Sequence, residues 1–504
     1  MALDRKVEQD ADDRKDDEVV RTESGDRHRD RGQHKDHTRR RPAETAIAEA
    51  PGDRRGRGTG GADQGEDRDL GLRQVVLPDQ FKRVAADSPA TYGLALVITM
   101  VERVLPARLG TGFRWLLASS WLTNLGDGVA AAAGPLLIAT LTRDPLMISL
   151  SALVGWAPPL LFSLYAGVLS DRYNRRRIVL VANAMRALVL AALVVLMVTG
   201  TVSVVTALVA LTLRSVAEVF ADSATATLTP LMVSKDDLVI ANARLGTGFI
   251  TLNQLAGPPI GAALFGLGFT WPFAGQLLLV VAGMLLVSRL TLPPHGRQGA
   301  DPKPNTVREL IAGFSWTLHH AAVRTLALTI LIFNFTFGAA WSVLVLYTQE
   351  QLGLGAIGFG LMTTLGGIGG LIGTGLYGAI TRKVSLGALM RIGLIIETFT
   401  HLGLALTHSP WVAGGIFLVF GAHAFIWGTT SVTVRQRAVP HELQGRVGSV
   451  NAICVYAGLV VGSLIGGVLA THFGVAAPFW FAFAGSAVFV VLLWRQLMHI
   501  AHDD

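Results

Sequence analysis

The sequence predicts an all-α membrane protein with twelve transmembrane helices, and three observations support this fold class. Of the 504 residues, 51% are hydrophobic and 16% are charged, well below the roughly 25% charged residues of soluble domains. The mean hydropathy of +0.47 indicates a chain that lies mostly in lipid. Finally, apolar segments of about 20 residues, the length that crosses a bilayer as a helix, recur along the chain.

Residues 1–108 are predicted to form a disordered, charged cytoplasmic tail and lead-in. Residues 1–70 hold 19 of the 36 acidic and 16 of the 43 basic residues, with almost no aromatic side chains to build a core. The start of the chain lacks the apolar segment of a secretory signal. An alternative is that translation begins near Met100 and that residues 1–99 are an artefact of the assigned start.

Twelve apolar segments follow the tail and divide six and six. The longest internal connection separates a first bundle at 109–291 from a second bundle at 325–504, with a linker at 292–324. The predicted spans are 114–141, 147–169, 178–199, 202–222, 245–267, 271–291, 325–347, 356–380, 386–407, 411–434, 447–470 and 477–497.

The connections between the spans alternate in charge. One set holds a single basic residue, Arg143. The other set includes Arg172, Arg175, Arg176, Arg177, Lys235, Arg297, Lys303, Arg308, Arg382, Lys383, Arg435 and Arg437. Basic connections are retained in the cytoplasm. The chain is therefore predicted to lie in the cytoplasmic membrane as a multi-pass protein with both termini inside.

The linker ends in a predicted amphipathic helix, TVRELIAGFSWTLHHAAVR. Charged residues alternate there with Leu310, Phe314 and Leu318, a pattern typical of a helix on the inner membrane surface. His319 and His320 are interpreted as interfacial polar residues and not as metal ligands.

The connection after the second span, GVLSDRYNRRR, holds five charges. Its spacing resembles the signature of the major facilitator superfamily, and the resemblance extends over residues 110–500. The signature residues are Gly167, Asp171, Arg172, Arg175 and Arg176. Glycine permits close helix packing, and a carboxylate accepts strong hydrogen bonds from arginines. The resemblance implies two pseudo-symmetric six-helix bundles and a cytoplasmic latch between them. The alternative is that the arginines only anchor the topology.

The fifth span contains NQLAGPPIGAALF, which resembles the antiporter motif of drug:proton exporters through Gly257, Pro258 and Gly261. Two prolines and two glycines allow a bend and close packing, so a purely structural kink is the alternative. Gly462 and Gly466 repeat the glycine spacing in the eleventh span, as expected for parallel repeats. The sequences of the first span and of the HELQGR segment resemble those of one branch of the superfamily. That branch contains enterobactin exporters and macrolide efflux pumps.

Ionisable residues at bilayer depth are functional candidates, because an unpaired charge in lipid is unfavourable. Asp127 lies half-way along the first span and is predicted to be the main protonation site. Arg214, Glu218 and Asp222 follow one another at four-residue spacing in the fourth span and share a helical face, with Asp222 approaching its cytoplasmic end. Arg214 is expected to pair with Asp127, and Glu218 to be a second titrating or substrate-contacting acid. The alternative is a buried ion pair that only fixes packing.

The resemblance implies a central cavity lined by the first, fourth, seventh and tenth spans. The candidate substrate residues are Asp222, Asn334, His423, Trp341 and Trp427. The tryptophans favour an amphiphilic or aromatic substrate. Arg186 and Glu397 fall on helices that the resemblance places outside the cavity, so they are expected to make packing contacts within their own bundles.

The predicted function is proton-coupled efflux of a small amphiphilic compound, such as a drug or a siderophore, by alternating access. The alternatives are a proton-coupled importer or facilitator on the same fold and a non-transporting scaffold. The sequence lacks a phosphate-binding loop and a soluble nucleotide domain, and its one cysteine, Cys454, excludes a cysteine cluster. We therefore expect no enzyme activity, metal, organic cofactor or nucleic-acid partner. The predicted transporter is a monomer in the lipid bilayer, energised by the proton gradient.

Overall fold

The computed structural model of the protein describes residues 107–291 and 306–498, and within these ranges it is helical without a strand. The predicted tail lies outside the described residues except for 107 and 108, as do residues 292–305 of the predicted linker.

The first half contains seven helices, and local sequence signals start several of them. The Asp144 side chain caps α2 by accepting a hydrogen bond from Leu146 N, and Asn174 caps α3 in the same way. Ser203 begins α4 with a capping box. The helices are α1 (Gly110–Leu141), α2 (Pro145–Arg172), α3 (Arg175–Val198), α4 (Val204–Met232), α5 (Leu238–Gly248), α6 (Gly257–Leu267) and α7 (Trp271–Val287), with a π-helix, Phe249–Ala256, between α5 and α6.

The second half begins with the short helix that the amphipathic pattern predicts and continues with six longer ones. They are α8 (Thr306–His319), α9 (Ala321–Trp341), α10 (Ala356–Thr381), α11 (Leu386–Leu406), α12 (Pro410–Ala438), α13 (Gln444–Phe473) and α14 (Ala477–Met498). A helical turn, Leu344–Leu346, and a π-helix, Tyr347–Gln351, connect α9 to α10.

Ten of the described helices are long and apolar enough to cross a membrane. The sixth predicted span corresponds to α7, a shorter apolar helix, and the fifth is divided among α5, the π-helix and α6. Two of the approximate span ends differ from the structure by six residues or more. The fourth span was expected to end at 222, but α4 continues to Met232, so Asp222 lies well inside the helix instead of near its end. The seventh was expected to reach 347, but α9 ends at Trp341.

The paired glycines predicted in the fifth and eleventh spans bring helix backbones together. Gly257 and Gly261 lie against the backbone of α1, and a Cβ added to Gly257 would lie 2.5 Å from the Cα of Gly128. Gly462 and Gly466 lie in the same way against the backbone of α9. Corresponding helices of the two halves therefore use the same small-residue contact.

The two halves share a buried apolar cluster at one end of the helices. Leu136 of α1 and Ala262 of α6 pack there with Phe359 of α10. At the same end, α2 meets α13, where a Cβ on Gly467 would lie 2.9 Å from the Cβ of Ser149. The signature connection is at the opposite end of α2.

Candidate functional site

Asp127 lies at a point of close helix packing in the first half. A Cβ on its neighbour Gly126 would lie 3.2 Å from the Cγ of Gln276 on α7, and one on Gly128 would lie 2.9 Å from the Cα of Asn253. The glycines on both sides of Asp127 therefore let two other helical segments approach α1. Asp127 is only 8% exposed, so its carboxylate faces protein and not lipid.

The Asp127 carboxylate accepts hydrogen bonds from three helices. Arg186 on α3 donates through Nη2, Gln276 on α7 donates through Nε2 at 3.1 Å, and Arg214 on α4 donates through Nη1 at 3.4 Å. Arg186 also donates to the Asn183 side chain at 3.1 Å. Each of these partners belongs to the first half. Two guanidinium groups therefore offset the negative charge of one buried carboxylate.

The role of Arg186 is the main difference from the sequence prediction. Arg186 was expected to make only a packing contact within its own bundle. It does stay within that bundle, but it is 1% exposed and is a direct ion-pair partner of Asp127, the predicted protonation site. Arg214 does contact Asp127, as expected, but its shorter ion pair is with Glu218, at 2.7 Å. The one sequence signal for Arg186 was an arginine in the middle of an apolar helix.

Exposure rises along the polar face of α4. The Arg214 side chain is 12% exposed and that of Glu218 is 23% exposed, whereas Asp222, one turn further along, is exposed. The three acids therefore extend from the buried Asp127 to the exposed Asp222, towards the C-terminal end of α4.

A small polar cavity joins Asp222 to the buried pair. Its lining includes Asp222, Thr123 and Ser120 as well as Arg186, which contacts Asp127, and Asn183, which accepts a hydrogen bond from Arg186. Its volume of about 20 Å³ is enough for one water molecule. The cavity therefore places polar groups between Asp222 and the guanidinium that contacts Asp127.

The charges of this group do not balance. Three carboxyl groups, on Asp127, Glu218 and Asp222, lie near two guanidinium groups, on Arg186 and Arg214. With every carboxyl ionised, the group carries one excess negative charge. Uptake of a single proton or of a single cationic group removes that excess.

The candidate cavity residues of the second half lie apart from this group. Their described hydrogen bonds, ion pairs and ring contacts remain within the second half. The Asn334 side chain donates to Ile330 O at 2.7 Å, and Trp341 stacks on Phe337 with ring centroids 4.3 Å apart. His423 lies 3.7 Å from Glu397. Trp427 lies beside His423, since both rings contact the same position on α11.

The Asp171 and Arg172 side chains of the signature connection are exposed in this structure. Asp171 is 73% exposed, and its described ion pair is with Arg175 of the same connection, at 3.8 Å. Arg176 donates to the carbonyl oxygen of Ser288, after α7, and Arg172 is exposed. Gly167 was predicted to pack closely against a neighbouring helix. That prediction was wrong here, because a Cβ on Gly167 would meet no atom within 4 Å.

The antiporter motif lies where the first half meets the second. Gly257, Pro258 and Gly261 are buried beside α1. From the other side, a Cβ on Gly360 of α10 would lie 3.4 Å from Pro258 O. The motif therefore connects the helix that carries Asp127 to a helix of the opposite half.

Comparison with known proteins identifies relatives among exporters. The multidrug efflux pump Tap of Mycolicibacterium fortuitum is 26% identical over 379 residues, which cover 72% of this chain and 90% of that protein. The macrolide efflux protein A of Streptococcus pyogenes is 21% identical, covering 70% of this chain and 87% of that protein. The enterobactin exporter EntS of Salmonella typhimurium is 25% identical, covering 71% and 85%.

Solved structures show the same fold. A bacterial homologue of the iron transporter ferroportin, in an inward-facing state, superimposes with a TM-score of 0.63 at 16% identity, covering 76% of this chain and 98% of that one. The nucleoside transporter NupG gives a TM-score of 0.62 at 13% identity, covering 78% and 100%.

The family profile described as transmembrane secretion effector matches residues 105–503, which include every described helix. The predicted membership of the major facilitator superfamily is thereby confirmed. The chain belongs to the transmembrane secretion effector family, a group of multi-pass membrane transporters within that superfamily.

Proposed function

We propose that this transporter exports a small amphiphilic compound, such as a drug or a siderophore, in exchange for protons. The names of its relatives, which include drug, macrolide and siderophore exporters, favour export of such compounds. In this proposal the described helices form twelve spans, with α5, the π-helix and α6 as the fifth and α7 as the sixth. Both termini lie in the cytoplasm, the transporter is a monomer, and the proton gradient supplies the energy.

The observation that carries the proposal is the buried Asp127 carboxylate between Arg186 and Arg214. An ionised Asp127 holds arginines from α3 and α4 against α1. A proton on the carboxyl removes the charge that attracts both arginines and so weakens these charge-assisted hydrogen bonds. Proton occupancy and the packing of these three helices are therefore linked.

Exchange follows if substrate and proton compete for the same negative charge. Glu218 and Asp222 are the more exposed acids of the group. A cationic substrate that contacts them offsets the same excess charge as a proton on Asp127, and a hydrogen-bond-donating substrate stabilises the ionised acids. Each ligand then disfavours the other, which is the thermodynamic requirement for antiport.

Alternating access requires the halves to separate where they now touch. The shared apolar cluster around Leu136 and Phe359 closes one end in this structure, while Asp171 at the other end is exposed. We propose that the halves rock so that the end with this cluster opens while the opposite end closes. When the end with the apolar cluster opens, Asp171 and the neighbouring arginines form the latch at the opposite end.

The direct test is Asp127→Asn in proteoliposomes with an imposed pH gradient. The probes are a macrolide and a catecholate siderophore, with accumulation measured by radiolabel. Asparagine keeps the shape of the side chain but does not take up a proton in this pH range. We expect the variant to insert and fold but to lose gradient-driven exchange. The control is Glu350→Gln, which neutralises an exposed acid outside the group. Gradient-dependent transport at the wild-type rate in Asp127→Asn would reject the proposal.

A further inference from the structure

The second half holds its own group of buried titratable side chains. Glu397 and His401 on α11 and His423 on α12 are 9%, 0% and 6% exposed. Glu397 and His401 are four residues apart, so they share a face of α11. Helix α12 presents His423 to that face, with its Nε2 atom 3.7 Å from Oε2 of Glu397.

A glycine makes room for this contact. A Cβ on Gly393 of α11 would lie 2.7 Å from Cδ1 of Trp427 and 3.0 Å from Nδ1 of His423. Gly393 precedes Glu397 by one helical turn, so the His423 ring lies over the α11 backbone with the carboxylate at its far nitrogen. Any larger residue at 393 would displace the ring from Glu397.

The group lacks hydrogen bonds that buried polar atoms normally have. Among the described residues, neither ring nitrogen of His401 or His423 has a hydrogen-bond partner, and neither does Nε1 of Trp427. The separation of His423 from Glu397 is too long for a hydrogen bond but within ion-pair range. Buried polar groups are normally hydrogen-bonded, so each exception needs an explanation. A neutral imidazole carries one N–H, so an added proton makes both ring nitrogens of His423 donors and gives the ring a positive charge.

The surroundings make Glu397 the natural partner of a charged His423. Aromatic rings cover the group: Phe420 lies 5.7 Å from His423 and Trp341 lies 6.1 Å from His401, centroid to centroid. In such an apolar environment an imidazolium needs a nearby carboxylate.

Other charged groups on the neighbouring helices point elsewhere. Arg391 of α11 lies over the Trp494 ring, at 5.3 Å. Arg435 is twelve residues beyond His423 on α12, about 18 Å along the axis. Within α9 and α10, the one charged residue is Arg324, which is exposed near the start of α9. His401 is thus the other titratable group that faces the His423–Glu397 pair.

The position of Glu397 repeats that of Arg186 in the first half. Arg186 lies eleven residues after the first residue of α3, and Glu397 lies eleven residues after the first residue of α11. These are the third membrane helices of their halves. Each half therefore carries one buried charge at the same depth on its corresponding helix, and each charge contacts an oppositely charged or titratable partner.

We propose that His423 and Glu397 form a second proton-binding site, separate from the acidic group of the first half. The proton is taken from water onto Nε2 of His423, which turns the 3.7 Å contact into a hydrogen-bonded ion pair between α12 and α11. Its loss leaves the helices without that link. The role of the site in transport rests on the proposed proton-coupled function, but proton binding itself can be tested without transport.

The test is a pH titration of tryptophan fluorescence between about pH 5 and pH 8, the range in which histidine changes charge. The full-length chain is purified in lipid nanodiscs without substrate or gradient, in an Asp127→Asn background that removes the first-half carboxylate. Trp427 serves as the reporter because it lies beside His423 and because an imidazolium quenches a nearby indole. The variants are His423→Gln and Glu397→Gln, and the matched control is His401→Gln in the same pocket.

We expect a quenching step that His423→Gln abolishes and His401→Gln retains. Glu397→Gln should change the midpoint of that step, because it removes the carboxylate that partners the imidazolium. A step that survives His423→Gln, or no step in the parent protein, would overturn the proposal. If His423→Gln does not fold, the test rests on Glu397→Gln. An unchanged midpoint in that variant would then overturn the proposal. A negative transport result for Asp127→Asn would leave this outcome unaffected.

Discussion

Removing Arg186 is the sharpest test of how the first half is held together. Arg186 is 1% exposed and Asp127 is 8% exposed, so neither charge is compensated by solvent. We consider Arg186→Met, which keeps most of the side-chain volume but removes the donors to both Asp127 and Asn183. The variant leaves a buried carboxylate with the longer contact from Arg214, at 3.4 Å, and the Gln276 hydrogen bond.

The expected loss of stability is large. Breaking a buried ion pair by removing one partner costs about 3–5 kcal/mol, because the remaining charge stays buried. The loss should be much smaller when Asp127→Asn is present as well, since no uncompensated carboxylate then remains. Contacting residues of this kind show coupling energies of about 0.5–3 kcal/mol, and full burial of this pair places it near the upper end.

The assay is reversible unfolding of the purified protein in mixed micelles by titration with sodium dodecyl sulfate, followed by circular dichroism. The parent protein, Arg186→Met, Asp127→Asn and the double variant form a double-mutant cycle. Their free energies of unfolding are compared with that of Arg289→Met, which removes an exposed arginine after α7. Surface changes of that kind lie within about 0.5 kcal/mol of the parent. If Arg186→Met is no less stable than this control, or if the two changes are additive, the buried pair does not hold these helices as described.

Two further predictions concern the movement of the halves. Asp171→Ala should slow transport without abolishing substrate binding, because the carboxylate is exposed here and acts only when its end closes. Binding by scintillation proximity, measured beside vesicle transport rates, checks this, and unchanged turnover would leave the connection with a purely topological role. In a Cys454→Ser background, Ser149→Cys with Gly467→Cys should form a disulfide, since their Cβ positions would be 2.9 Å apart and need only a small shift to reach disulfide geometry. The oxidised protein should stop transporting and recover on reduction, whereas full activity with the bond formed would show that this end does not open.

The sequence predicted the membrane helices well where the signal was local. Span length follows from hydrocarbon thickness, so continuous apolar runs such as α3 and α14 were found within a few residues. The shared face of Arg214 and Glu218 followed from their four-residue spacing, and the structure shows an ion pair there. Local breaks were harder to predict. The π-helix at Phe249–Ala256 has no distinct sequence signature, and it divides a predicted span.

The sequence by itself therefore determined that this is a membrane transporter of a known superfamily, which charged residues lie within apolar helices, and which of them share a helix face. Only the tertiary structure decided which faces meet. Arg186 reaches Asp127 from another helix, Gln276 joins them from a third, and His423 meets Glu397 across α11 and α12. Such contacts depend on how each helix is rotated and on where glycines let backbones approach, and both are set by the packing of the whole bundle rather than by the periodicity of any one helix.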